Sequence, residues 1–190
     1  VEVAYNSRAG GRRLEEIELN RSNGGYLNAV GAQRIPDPTT AGDFTRRFTP
    51  EDIGKLMECI NTVRSRVWKE GRKEKLKEAL IDVDGTIAGT YGECKGGMNI
   101  SHKGIWGYAP LIVSLANTKE VLYLENRAGN VASHDGSVKW IDRAIEMVKP
   151  YAEGICIRGD TDFSLTGNFD RWSERADFVF GMDARAVLIK

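Results

Sequence analysis

Two aspartates stand two positions apart at the end of an apolar run in the middle of the chain. Residues 79–83 form this run, Asp82 and Asp84 alternate with its aliphatic side chains, and Gly85 ends the pattern. Successive side chains of a strand point to opposite faces, so both carboxylates are predicted on one face and the aliphatic residues on the other. A carboxylate at the end of a buried strand is costly unless it is paired, hydrogen-bonded or bound to a metal.

A second acidic segment, Gly159-Asp160, follows another short apolar run at residues 154–158. Two carboxylates a few ångströms apart repel each other at neutral pH, so one must be protonated or a cation must lie between them. Mg²⁺ prefers oxygen ligands, and two such ions ~3.5–4 Å apart can activate the attacking oxygen and stabilise the leaving oxygen in phosphodiester cleavage. His102 and His134 lack the spacing of a zinc site. The acids therefore indicate a magnesium site, provided that Asp84 and Asp160 converge.

The elements around the acids decide whether they converge. After the first strand, the sequence predicts a glycine-rich loop at residues 88–107, a hairpin of strands at 108–116 and 121–126, a helix at 137–149, a strand at 154–158, a short helix at 166–175 and a strand at 178–182. This order is that of a ribonuclease H-like mixed sheet, in which the first and fourth strands are neighbours. We therefore predict an α/β (mixed α+β) ribonuclease H-like fold with an N-terminal helical segment.

The N-terminal part has weaker signals. Residues 1–35 are predicted to be a loop or a loosely packed arm with a short ordered piece, and Thr39 or Thr40 is predicted to cap a short helix that follows two prolines. Thr49-Pro50 begins a longer helix. The apolar residues of that helix recur at helical spacing, which predicts a stripe that packs against the protein. They are Ile53, Leu56, Met57, Ile60, Val63 and Val67.

Composition narrows the class of protein. The chain has 190 residues, 27 basic and 27 acidic, so a wholly basic nucleic-acid-binding surface is excluded and a local basic patch is not. Three cysteines without metal-ligand spacing, and the lack of a secretory or membrane-spanning pattern, predict a cytoplasmic protein. The chain begins at Val1 and ends at Lys190 directly after a strand-like run, so we expect a fragment of a longer protein.

Several separate segments resemble bacterial insertion-sequence transposases of the DDE superfamily, in particular those whose first motif is Asp-x-Asp-x-Thr. Asp84-Gly85-Thr86 is similar to the first acidic motif of these enzymes, and the segment from Arg158 to Phe163 is similar to the second. Residues 36–48, 107–116 and 126–130 also resemble this group, so the likeness extends over roughly residues 25–185.

The resemblance implies metal-dependent cleavage and joining of DNA strands at transposon ends. Asp84 and Asp160 would bind Mg²⁺ or Mn²⁺, and Asp82 would be either a further ligand or a supporting carboxylate. The partners would be the terminal repeats and the target DNA, bound by a homodimer when the protein is complete. Arg158 would balance charge near Asp160 or contact DNA.

One departure from the family concerns the third acid, a glutamate on a later helix. Nothing in the chain matches it, because Glu174 and Asp183 stand outside a matching motif. The resemblance therefore implies that residues 78–190 form a catalytic domain that is incomplete at its C-terminal end and inactive alone. It also implies that residues 1–70 form an N-terminal arm and helical segment that contacts DNA.

Two other functions remain open from the sequence. Residues 82–86 also match the Asp-x-Asp-Gly-Thr motif of haloacid dehalogenase-like phosphatases, where Asp82 would be the nucleophile and Asp84 the general acid/base with Mg²⁺. That family requires a mainly parallel sheet, which the predicted hairpin does not fit. The other alternative is an inactive DNA-binding transposase remnant with salt-sensitive phosphate contacts. The predicted DNA-binding residues are Arg46, Arg47, Lys95, Lys103, Arg127 and Arg158.

Overall fold

The computed structural model describes residues 2–71, 74–91 and 95–184. Its internal contacts divide the chain into two compact units, Val1–Leu56 and Met57–Lys190. Within the described residues, no helix has the length and apolar composition that crossing a bilayer requires.

The first unit is built from short helices. They are α1 (Glu2–Arg8), α2 (Ile17–Arg21), α3 (Gly24–Val30), α4 (Pro38–Thr45) and the beginning of α5 (Pro50–Gly71). The prediction of a loop or loose arm with one short ordered piece over residues 1–35 is therefore wrong, because helices α1, α2 and α3 lie within these residues. Local capping explains the difference: the side chain of Asn23 accepts a hydrogen bond from the Tyr26 N–H, and Gly31 ends α3 in the left-handed conformation. A small buried cluster of Ile17, Ile35 and Ala41 holds these helices together.

Helix α4 begins at a different residue from the one predicted. Asp37 is its cap, because the Asp37 carboxylate accepts hydrogen bonds from the Thr40 N–H at 2.9 Å and the Thr40 hydroxyl at 2.8 Å. Pro38 occupies the first helical position, where a missing N–H has no cost. Helix α5 begins as predicted, with Thr49 and Asp52 exchanging capping hydrogen bonds.

The second unit contains the predicted mixed sheet. Its strands are β1 (Leu76–Gly85), β5 (Leu111–Leu115), β6 (Glu120–Glu125), β7 (Ala152–Gly159) and β8 (Asp177–Phe180), in the order β6-β5-β1-β7-β8. Strand β1 pairs antiparallel with β5 and parallel with β7, and β7 pairs parallel with β8. This arrangement confirms the ribonuclease H-like fold. The antiparallel β5–β6 pair is incompatible with the doubly wound parallel sheet of the phosphatase alternative.

The glycine-rich region contains more structure than the predicted loop. Strands β2 (Ala88–Gly89), β3 (Asn99–Ile100) and β4 (Trp106–Tyr108) form a second small sheet in the order β2-β4-β3. A side chain at Gly107 would lie 2.2 Å from the Ala88 carbonyl oxygen, so these strands pair closely because glycine has no Cβ. Two-residue strands have too short a pattern to be predicted. Residues 92–94, which include Cys94, lie outside the described residues.

Helix α6 (Ser137–Val148) covers one face of the large sheet, and α7 (Phe169–Ser173) lies beside β8. The buried aliphatic and aromatic side chains of α6 join the odd-numbered residues of β1 in one core. These members of the core are Ala79, Ile81, Val83, Trp140, Ile141, Ala144, Ile145 and Val148.

The prediction that the aliphatic stripe of α5 packs against the protein is wrong for every residue except Met57. Asn61 and Trp68 are the buried residues of this helix, and Met57 is the one predicted stripe residue that packs against the core. The other predicted residues, Ile53, Leu56, Ile60, Val63 and Val67, are between 43% and 61% exposed. From Met57 onward, the helix therefore contacts the rest of the second unit through a face other than the aliphatic one.

Candidate functional site

Asp84 and Asp160 lie at the carboxyl ends of two adjacent parallel strands. Asp84 is the second-last residue of β1, and Asp160 directly follows the last residue of β7. Val83 is paired with Gly159, so the two aspartates occupy the next position on each strand. Paired positions on parallel strands direct their side chains to the same face. The register therefore brings both acids, which are exposed, to one end of the sheet.

Asp82 has a different partner. Its two carboxylate oxygens accept hydrogen bonds from Arg158, one from Nε at 2.7 Å and one from Nη2 at 2.9 Å. The residues are paired in the β1–β7 register, and the bidentate bond raises the pKa of Arg158. Arg158 thus neutralises Asp82 and links the two strands that carry Asp84 and Asp160.

The backbone after β7 fixes Asp160. Its side chain accepts a hydrogen bond of 3.0 Å from the Asp162 N–H and caps a short 3₁₀ helix, Thr161–Phe163. Phe163 is fully buried and anchors this turn in the core. One oxygen of Asp160 is therefore bound to the turn, and the carboxylate is oriented before any ligand arrives.

An open cleft of about 730 Å³ lies beside these strand ends. Asp160 and Asp162 contribute acids to its lining, and His102, Lys103 and His134 contribute basic groups. Gly85, the residue after Asp84, also lines it, and a side chain there would lie 2.8 Å from the Cβ of Ser133. The cleft thus combines carboxylates at the strand ends with basic side chains from two surrounding loops.

Arg127 forms part of the framework of this cleft. Its Nε donates to the Ala109 carbonyl at 3.0 Å, and its Nη1 donates to the carbonyls of Ala132, Ser133 and Asp135. Burial lowers the pKa of Arg127, and its Nη2 atom is buried without a hydrogen-bond partner among the described residues. These bonds hold the loop that lines the cleft, whereas the sequence predicted Arg127 as a DNA contact.

The other predicted DNA-binding residues are dispersed. Lys103 lines the cleft, whereas Lys95 donates a hydrogen bond to the Thr90 hydroxyl. In the first unit, Arg46 is exposed and pairs with Asp43 at 2.6 Å, and Arg47 is also exposed. Of these four basic residues, Lys103 is the one that lines the cleft among the described residues.

The carboxylate pair suits magnesium better than a metal that needs many protein ligands. Within the described residues, no group of three or more histidine, cysteine, aspartate and glutamate side chains is placed to hold a metal ion. Mg²⁺ is commonly bound by one or two carboxylates, with waters and substrate phosphates completing its shell. Asp84 and Asp160 therefore fit as a partial ligand set. Glu174 follows α7 and Asp183 follows β8, outside this pair of strand ends.

Comparison with known proteins gives one family and one structure. The family model described as "Transposase DDE domain group 1" matches residues 9–190. No curated protein matches the chain. A solved synaptic complex of piggyBac transposase with hairpin DNA is 19% identical, with a TM-score of 0.37 over 57% of this chain and 24% of that chain. The matched region thus spans about a quarter of that transposase.

Proposed function

The chain belongs to the group 1 DDE transposase domain family, and we propose that it contributes a divalent-metal centre that cleaves and joins DNA strands at transposon ends. One observation carries the proposal. Asp84 and Asp160, the acids similar to the first two DDE acids, immediately follow the paired residues Val83 and Gly159 on adjacent parallel strands. This register supports their use as joint ligands of Mg²⁺ or Mn²⁺.

The residues around the acids supply orientation and charge. A bound Mg²⁺ ion would polarise the scissile phosphate and activate the attacking oxygen. Asp160 is held by its turn through one carboxylate oxygen, and its second oxygen would bind the metal. Asp82 is neutralised by Arg158 and adds no net negative charge beside the incoming phosphate. Lys103, which lines the cleft, would attract the DNA backbone.

We assign the finer features of the family to this chain as part of the same proposal. The partners are transposon terminal repeats and target DNA, bound by a homodimer of the complete protein of a bacterial insertion sequence. Residues 1–70 form the N-terminal segment that contacts DNA, through Arg46 and Arg47, and residues 78–190 belong to the catalytic domain. A third acid from the complete protein would finish the metal site.

A strand-cleavage assay tests this proposal. Terminal-repeat DNA is incubated with Mg²⁺ or Mn²⁺ and the complete protein that contains this domain, and nicking is measured for the wild type, Asp84→Asn and Asp160→Asn. Each substitution should lower the rate by about a hundredfold or more, the scale seen when one charge-stabilising group is removed from an active site. Asp170→Asn, an exposed aspartate of α7, is the matched control and should retain activity.

Metal binding provides a second readout that does not need turnover. Mn²⁺ binding, followed by electron paramagnetic resonance, should weaken in Asp84→Asn and Asp160→Asn and stay unchanged in Asp170→Asn. Unimpaired nicking in both site variants would contradict the proposed ligands. Salt-sensitive DNA binding by the complete protein, with no cleavage in any metal, would favour the inactive remnant instead.

A further inference from the structure

Helix α5 presents an aliphatic stripe on its outer surface. The stripe consists of Ile53, Leu56, Ile60, Val63 and Val67, each between 43% and 61% exposed. Their spacing along the sequence alternates between three and four residues. Apolar residues with this alternation are the a and d positions of a heptad repeat, the pattern of helices that pair with another helix.

The body of the protein uses a different face of α5. Asn61 donates to the Leu122 carbonyl at 3.0 Å, and Trp68 donates to the Glu120 carboxylate at 3.0 Å. Arg64 joins them on this face with bonds to Glu120 and to the Val121 carbonyl. The centre of the aliphatic stripe is turned from the centre of this face by about a quarter of a helical turn, since successive residues lie about 100° apart around the helix. Contacts of α5 with its own sheet therefore leave the stripe uncovered.

We propose that this stripe is a self-association surface, and that α5 pairs with α5 of a second copy in antiparallel orientation. A two-fold axis makes the same patch face itself, so an apolar stripe needs no other partner to be covered. A sequence of aliphatic a and d residues supplies knobs and holes on both helices. The inference does not depend on the proposed catalytic function.

Charge complementarity selects the orientation and register. When Leu56 lies opposite the partner's Ile60, Ile53 lies opposite the partner's Val63, and the two-fold axis repeats both contacts. In this register Asp52 and the partner's Arg66 occupy facing flanking positions, so two ion pairs form across the seam. Hydrogen bonds from Thr49 lower the pKa of Asp52, which keeps it charged. Exposed pairs of this kind specify orientation more than they add affinity.

A parallel, in-register pair lacks this complementarity. It would place Asp52 beside the partner's Met57, and Arg66 beside the partner's Gly71, so neither charge would gain an opposite partner. The position of Cys59 distinguishes the two arrangements. Cys59 is exposed at the flank of the stripe, and the antiparallel register places it next to the partner's Cys59, whereas a parallel pair separates the two thiols.

Sedimentation equilibrium of this chain, in reducing buffer without DNA, measures the association. Ile60→Ser and Val63→Ser should each weaken dimerisation by about tenfold or more, because each variant removes two symmetry-related apolar contacts. Val179→Ser is the matched control, since Val179 is an aliphatic residue of similar exposure on β8. The circular dichroism of each variant should match that of the wild type.

Mild oxidation of the dilute protein then tests the register. A covalent dimer should form, disappear in Cys59→Ser and decrease in Ile60→Ser. Arg66→Glu should weaken association, and a further Asp52→Lys change should restore it. A monomer at all concentrations, or a dimer indifferent to Ile60→Ser and Val63→Ser, would overturn the surface. A dimer that needs the stripe but forms no Cys59 disulfide would overturn the antiparallel orientation.

Discussion

Helix α6 and the part of α5 from Met57 onward contact the sheet of the second unit in opposite ways. The apolar face of α6 is buried: Trp140 is 5% exposed, and Ile141 and Ile145 are fully buried against the sheet. The apolar stripe of α5 faces outward, and the contacts with the sheet are made by another face that carries Asn61, Arg64 and Trp68. An amphipathic pattern thus establishes that a helix has an apolar face, but does not establish which surface covers that face.

The edge of the sheet explains why α5 also places polar side chains against the protein. Strand β6 is an edge strand, and its outer carbonyl groups lack a neighbouring strand. Asn61 satisfies the carbonyl of Leu122, and Arg64 satisfies the carbonyl of Val121 at 2.7 Å. Glu120 completes the contact by accepting from Arg64 and Trp68. Helix α5 thereby covers the exposed backbone of an edge strand, whereas α6 covers aliphatic side chains.

The largest difference between the helices should appear when an aliphatic residue is truncated. Ile145→Ala removes a fully buried side chain from α6 and should lower the free energy of unfolding by about 2–5 kcal/mol, because it leaves a cavity in the core. Val63→Ala, the matched change in the α5 stripe, should lower it by less than about 0.5 kcal/mol. Urea denaturation at low protein concentration measures both. Equal losses would remove the contrast between the helices.

A polar truncation in α5 should have a smaller but clear effect. Asn61→Ala leaves the buried Leu122 carbonyl without its partner and should cost about 1–3 kcal/mol of unfolding free energy. It should also accelerate hydrogen exchange in β6 relative to β1. Thr62→Ala is the control, since the exposed Thr62 hydroxyl bonds to the Glu58 carbonyl within the helix itself. If Asn61→Ala and Thr62→Ala behave alike, α5 is not anchored through this contact.

Acid should weaken the contact between α5 and β6 that Glu120 makes. Partial burial alone would raise the pKa of Glu120, but hydrogen bonds from Thr118 and Trp68 and the charge of Arg64 outweigh it and lower the pKa. The contribution of Glu120 is therefore present above its unfolded pKa and lost as the pH falls through its lower folded pKa. Stability should thus decline less steeply below about pH 4.5 in Glu120→Gln than in the wild type. Parallel profiles from pH 7 to pH 3 would contradict this linkage.

The same contrast shows how far the sequence can be interpreted. Alternating aliphatic residues around Asp82 and Asp84 and the helical pattern ending at Val148 were sufficient to predict a strand and a helix, because each pattern had one complementary surface in the unit. The order of the elements along the chain then predicted that the first and fourth strands are neighbours. The α5 stripe has the same periodicity, but its covering surface is not specified by the residues of the helix. Helical periodicity alone could not distinguish these two situations.

At the candidate site, the sequence predicted which strands meet but not how charges pair. The neighbouring positions of Asp84 and Asp160 follow from strand order, which local patterns indicate. The Asp82–Arg158 pair depends on the exact β1–β7 register, and a one-residue shift would separate the two residues. The bonds of Arg127 to backbone carbonyls depend on the loop conformation, which its sequence does not specify. The pairing of charges between residues that are distant in the sequence therefore could not be predicted from local patterns.

The smallest expected effect provides the most direct test of the outward stripe. Ile60→Ser replaces a 48% exposed side chain with one of similar helix propensity, so the free energy of unfolding of dilute, monomeric protein should change by less than about 0.5 kcal/mol. Chemical denaturation and amide exchange in β6 measure this. A loss of about 2 kcal/mol or more would show that Ile60 is covered within the folded monomer. A neutral result would leave the stripe accessible to a partner, in contrast to the buried face of α6.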